Sequence, residues 1–183
     1  MSSALIVIDV QQSFLHRPYW RDDDLPAFLA NLQKLIDRCA ARDVPVLQVF
    51  HESGADGAFA RSSGFVVAMP QLRIAPQAVF YKNVHSAMFG RTADGVTLEQ
   101  WLRANGVDHV VVTGIRTEQC CETTARHASD LGFRVTYALD ATLTFPMVAR
   151  SGRAYSPAEL KERTELVLAD RFAKVVATEA VAV

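Results

Sequence analysis

Cysteine is scarce in this chain. Of its 183 residues only Cys39, Cys120 and Cys121 are cysteines. An odd count with two neighbours adjacent does not make a disulfide framework, so reduced thiols and a cytoplasmic setting are expected. An excess of charge is also missing. Lys and Arg number 19 against 20 Asp and Glu, for a net charge of −1. There is no basic tail and no run of like charge, which argues against nucleic acid or an anionic membrane as partner. No stretch approaches the roughly 20 apolar residues that cross a bilayer. Met1-Ser2-Ser3-Ala4 lacks the charged start and cleavage site of a signal peptide, and none is expected. Repeats, low-complexity tracts and linkers are absent. The length suits one well-buried core and is short for two, so one domain over residues 1–183 is expected.

Half of the residues are apolar, and they fall in alternating patterns. Residues 4–10 (ALIVIDV), 44–50 (VPVLQVF), 78–82 (AVFYK), 108–113 (DHVVVT), 133–138 (FRVTYA) and 173–178 (AKVVAT) are short apolar runs that read as buried strands. Helical spacing marks 25–42, 97–105, 117–131 and 157–172. Asp24 and Pro26 suit the start of the first helix, and Ser156 and Pro157 that of the last. Gly106 and Gly132 stop the second and third. Residues 51–78, rich in Gly, Ser, Ala and Pro, read as a long loop with one short element. The alternation predicts an α/β fold: three α-β-α layers around a six-stranded, mostly parallel sheet. Ligands of such sheets bind beyond the C-terminal strand ends.

Three chemically capable residues stand at those ends. Asp9 closes the first strand, Lys82 the third, and Cys120 follows the fourth by a tight turn. A thiol in the first turn of a helix feels the dipole and unpaired N–H groups, which favour thiolate and could hold an oxyanion. The plainer reading makes Cys120 a small buried hydrophobe. Asp9 could equally be a cap or a structural partner of Lys82, and Lys82 could point at solvent. Together on one rim the three suit nucleophilic catalysis, the lysine stabilising the thiolate and carboxylate.

Three motifs carry a family resemblance. Asp9-Val10-Gln11-Gln12-Ser13-Phe14 is similar to D-x-Q-x-x-F. Lys82-Asn83-Val84-His85-Ser86-Ala87-Met88-Phe89 is similar to K-x-x-x-S-A-F, with Met88 inserted before the aromatic. Gly114 to Ala125 is similar to G-x-x-T-x-x-C-V-x-x-T-A, with Cys121 after the cysteine. In this order they resemble the isochorismatase-like cysteine hydrolases, which include nicotinamidases and N-carbamoylsarcosine amidases. The resemblance implies Cys120 as nucleophile, Asp9 as proton acceptor and donor, and Lys82 as stabiliser of the charged pair. It implies an oxyanion hole from the backbone N–H groups of Arg116 and Cys120, with a cis Ile115–Arg116 peptide. The expected reaction is hydrolysis of a small amide-type bond through a thioester.

Family nicotinamidases hold a metal with an Asp-x-His element after the second strand. Here that place reads Gln48-Val49-Phe50-His51-Glu52-Ser53. His51 with Glu52 could bind a metal, but a pocket-lining or surface histidine is favoured, and neither metal nor other cofactor is expected. The residues expected around a small substrate are Phe14, His51, His85, Phe89, Arg116, Thr117, Glu118 and Phe145. Arg116 either meets a substrate carboxylate or pairs with Glu118 or Glu122. Tyr19 and Trp20, on the loop after the first strand, either close the pocket or join a subunit interface. The resemblance implies a homo-oligomer.

Three other readings compete. A vinyl-ether hydrolase is the isochorismatase reaction proper, but those enzymes usually lack the cysteine. A non-catalytic binding protein on the same fold is opposed by the intact Asp9–Lys82–Cys120 set. Redox or transferase chemistry with Cys121 as partner is disfavoured too. Neighbours on a helix point about 100° apart, so Cys121 should face the core.

Overall fold

The computed structural model describes residues 2–183. Its main sheet has six strands: β1 (Ser2–Ile8), β2 (Val46–His51), β3 (Ala78–Lys82), β4 (Val107–Ile115), β5 (Arg134–Leu143) and β8 (Lys174–Val176). Their spatial order is β3-β2-β1-β4-β5-β8, and every pairing is parallel. The chain winds outward from β1 in both directions, so β1 and β4 lie at the centre, where the winding direction changes. Crevices at such a point are where open α/β sheets bind ligands.

The burial pattern explains the unbroken apolar run of β1. Leu5 and Val7 face one layer, packing with Phe28, Leu32, Leu35 and Ile36 of α1 (Leu25–Ala40). Ala4, Ile6 and Ile8 face the other. There they meet Leu98 and Leu102 of α2 (Leu98–Ala104), Ala125 and Ala128 of α3 (Glu122–Asp130) and Leu168 of α4 (Pro157–Leu168). A strand covered on both faces needs no polar alternation. Each fully buried Leu or Ile here contributes roughly 1.5–3 kcal/mol.

Helix starts follow local chemistry. Thr97 and Ser156 each close a reciprocal capping box, with Gln100 and Glu159. Asp24 makes no side-chain cap at α1, whose start rests on Pro26 in the first turn.

Several expected boundaries move. The expected helix from Thr117 opens instead with a π-helical turn, Thr117–Cys121, before α3. Such turns concentrate at functional sites. The fifth strand runs on to Leu143 because it resumes pairing with β4 past an irregularity between Val112 and Gly114. A small antiparallel hairpin, β6 (Met147–Val148) with β7 (Ala154–Tyr155), lies in a stretch without strand-like patterning. β1 stops at Ile8, so Asp9 stands just outside the strand with φ of 55°. That left-handed conformation is uncommon for a side-chain-bearing residue, although Asp tolerates it better than most.

Gly114 decides how closely the two central strands approach. It has φ of 122°, and a Cβ there would lie 2.0 Å from the Ile8 carbonyl oxygen. Only glycine allows β1 and β4 to pair directly before Asp9. Gly114→Ala is therefore expected to destabilise the fold by about 3 kcal/mol or more. A denaturant midpoint close to that of wild type would contradict this account of the pairing.

Candidate active site

The parallel register places the site. His51 and Lys82, the last residues of β2 and β3, are direct partners, and Asp9 follows the end of β1. The Asp9 N–H donates to the Val49 carbonyl at 2.8 Å, anchoring it to β2. Gln11 extends this attachment through its side chain. Its amide nitrogen donates to the His51 carbonyl at 2.9 Å, and its amide oxygen accepts from the His51 N–H at 2.8 Å. The side chain thus stands in for a neighbouring strand and pins His51. This is a positioning role for the glutamine of the first motif that sequence reasoning did not reach.

The second and third motifs are joined by Thr124. Its hydroxyl donates to the Cys120 carbonyl at 2.6 Å and accepts from the Ala87 N–H at 2.9 Å. Tyr137 from β5 donates to the Thr117 carbonyl at 2.7 Å. The turn carrying Cys120 is therefore held from two sides. The Ile115–Arg116 peptide leading into it is cis.

The Lys82 ammonium is the hub. It donates to Asp9 Oδ2 at 2.8 Å, to Cys120 Sγ at 3.4 Å and to the His51 ring at Nδ1, 3.1 Å away. The Asp9 and Lys82 side chains are fully buried. Burial opposes the lysine charge, but Asp9 and then Cys120 outweigh it, and Lys82 sits above its ordinary value. For His51, burial and then the Lys82 charge lower the pKa. A neutral ring with Nδ1 as acceptor fits the contact with an ammonium. Asp9 Oδ1 is buried and has no hydrogen-bond partner.

The helix start does not make Cys120 a thiolate, contrary to the expectation from sequence. Burial first, then the Asp9 charge, pushes its thiol up to about 12, with Lys82 acting the other way. Desolvation outweighs the dipole because the sulfur is almost fully enclosed. At neutral pH the proton stays on sulfur, beside an unpartnered carboxylate oxygen.

Asp9, His51 and Cys120 also offer potential metal-ligand atoms, all within 4.8 Å of one another. The Lys82 ammonium already contacts all three residues. A second cation among them would lie against it, so the residues present do not fit a metal at this point.

A cavity of about 240 Å³ opens above Cys120. Among the expected residues, Phe14, His51 and His85 line it, and His85 Nδ1 is 3.8 Å from the Cys120 sulfur. The others lie elsewhere. Phe89 is 59% exposed and packs on His127, since the residue inserted before it, Met88, takes the buried place. Thr117 is buried against Thr142. Arg116 pairs with Glu118 at 3.0 Å, both nearly buried, and Thr144 donates to Glu118. The Arg116 guanidinium lies 4.9 Å from the Tyr19 ring centre and 5.7 Å from that of Phe145. Arg116 thus pairs with Glu118, the arrangement of the second of its two expected readings. Phe145 is fully buried behind the wall, packed on Phe14, Tyr19 and Trp20. Tyr19 lines the cavity, the pocket-closing alternative, while Trp20 does not. Arg17, Ser53, Phe59 and Gln119 line it as well and were not anticipated. Ser53 and Phe59 come from the long loop after β2, where no periodicity signals which residues turn inward. Cys121, as expected, is fully buried in the core.

Comparison with known proteins agrees with this geometry. The isochorismatase domain family model matches residues 3–180. The chain is 32% identical to nicotinamidase 3 of Arabidopsis thaliana, over 95% of this chain and 84% of that protein. It is 29% identical to a ureidoacrylate amidohydrolase of Variovorax paradoxus, over 76% of this chain and 68% of that one. Among solved structures, an isochorismatase from Pseudomonas putida superposes with a TM-score of 0.86 at 25% identity, covering 98% of this chain and 90% of that one. Six parallel strands in this order, with the three motifs at their ends and the whole length matched, establish that the chain belongs to the isochorismatase-like hydrolase family.

Proposed function

We propose that this enzyme hydrolyses a small amide-type C–N bond through a thioester on Cys120. The observation that carries this reading is the cluster itself. A thiol facing a small cavity adjoins a carboxylate with one free buried oxygen, and a lysine bridges them. Two relatives are named for this chemistry, a nicotinamidase and a ureidoacrylate amidohydrolase.

The steps follow from the groups present. Asp9 Oδ1 takes the Cys120 proton as sulfur attacks the carbonyl carbon. The S–C bond forms, and the carbonyl electron pair moves to oxygen. The backbone N–H groups of Arg116 and Cys120 are the proposed donors to that oxyanion. Asp9 returns the proton to the departing amine as the C–N bond breaks, leaving the thioester. Water, deprotonated by Asp9, then attacks the thioester carbon. The acid is released and the thiol restored. Lys82 keeps its charge throughout and offsets the negative charge shared by sulfur and carboxylate. A thiol that ionises only as it attacks does not accumulate as a thiolate open to oxidation.

Two outcomes test this. Wild type should release ammonia from members of a panel of small primary amides and ureido compounds, and Cys120→Ala should lower that rate on the order of 10³-fold or more. Full activity in Cys120→Ala, or cleavage of a vinyl ether with no ammonia from any amide, would remove the amide reading. The second concerns Asp9→Asn. Removing the carboxylate charge takes away an influence that raises the Cys120 pKa while Lys82 remains, so the thiol should ionise at lower pH. Turnover should nevertheless fall by about 10²–10⁴-fold, because the base is gone. Cys39 is raised only to about 11, so the thiolate absorbance attributable to Cys120 is read as the difference against the same protein carrying Cys120→Ala. A Cys120 pKa that rose in the variant would contradict the electrostatic account.

A further inference from the structure

Arg17 lines the same cavity as Cys120 and is a charged group the chemistry above does not use. It stands just after a short 3-10 turn, Gln12–His16. Its N–H donates to the Phe14 carbonyl at 3.0 Å, and its carbonyl accepts from the Trp20 N–H at 2.9 Å. The backbone that presents it is therefore fixed by a turn. Its guanidinium carbon lies 5.4 Å from the Tyr19 ring centre and 5.8 Å from that of Phe59. Aromatic contacts of this kind orient a guanidinium without consuming its N–H donors.

Among the described residues, no carboxylate lies within 4.0 Å of the Arg17 side chain. The other permanently charged arginine near the site, Arg116, is taken by Glu118. The charge of Asp9 is answered by Lys82. Arg17 thus leaves the cavity with one uncompensated positive charge, exposed at its rim, while the thiol lies at its floor. The volume is below the roughly 300–1,000 Å³ that holds drug-sized ligands, so one short molecule would touch both ends.

We infer that the substrates are small amides or ureido compounds carrying a carboxylate at the end away from the scissile bond, and that Arg17 binds this carboxylate through its paired N–H donors. The inference rests on the amidase reading and narrows it to anionic substrates.

The test uses matched pairs that differ in one charge: N-carbamoylglycine against its methyl ester, and succinamate against methyl succinamate. Wild type should favour the anion in kcat/KM, by roughly 10- to 100-fold, mostly through KM. Arg17→Gln should bring that ratio close to one, and Arg17→Lys should restore part of it. Binding to Cys120→Ala, followed by calorimetry, reads the same preference without turnover. An arginine that merely covered Tyr19 and Phe59 would be indifferent to substrate charge. Equal use and equal binding of both members by wild type, or an Arg17→Gln loss shared equally by acid and ester, would overturn the inference and leave the amidase reading standing. Absence of hydrolysis for every compound of either charge would count against the amidase reading, and the binding preference would still decide the role of Arg17.

Discussion

Four polar side chains meet where β1, β2, β3 and the turn after β4 come together, and the Lys82 ammonium touches the other three. Taking a lysine and an aspartate wholly out of water is costly unless each finds the other and the remaining donors are used. Here the three protons of the ammonium have three acceptors: carboxylate, thiol sulfur and imidazole. Breaking such a buried pair by removing one partner typically costs about 3–5 kcal/mol. The surrounding structure is arranged to keep that contact closed. Gly114 lets the central strands approach, Gln11 pins His51, and Thr124 ties the loop after β3 to the turn bearing Cys120.

The same arrangement settles the protonation of the site. An isolated thiol at a helix start would lose its proton easily. Enclosed beside a carboxylate, this one holds its proton far more tightly, its pKa pushed up to about 12. The unpartnered Asp9 oxygen is an exception among buried polar atoms, the great majority of which find a partner. The left-handed backbone of Asp9 is a second local exception at the same residue.

Around this centre the cavity divides its labour. Phe14, Phe59 and Tyr19 supply an apolar wall, and the histidines flank the sulfur. The two arginines of the region separate by environment. Arg116, one residue past β4, is drawn inward to buried Glu118. Arg17, on a turn at the rim, has aromatic neighbours and, among the described residues, no carboxylate paired with it.

Much of this was legible in the sequence. The six strands, four helices and the sheet were readable because doubly covered strands must be continuously apolar and helices must repeat their apolar face. Asp9 was singled out as a carboxylate ending an apolar strand, Lys82 as a lysine at a strand end on the same rim and Cys120 as a thiol at a helix start, and the family resemblance supplied their expected roles. The π-helical turn, the hairpin β6–β7 and the extension of β5 were not readable, since they depend on pairing and hydrogen bonds between distant segments. Nor could spacing tell that Arg116 is buried with Glu118 while Arg17 faces the cavity, or that Phe89 turns outward where Met88 turns in. Local pattern determines which elements form and which residues reach the strand ends. Desolvation and the choice of ion-pair partner arise only when separate segments pack, so tertiary structure alone decided the state of the Cys120 thiol and which arginine meets the cavity.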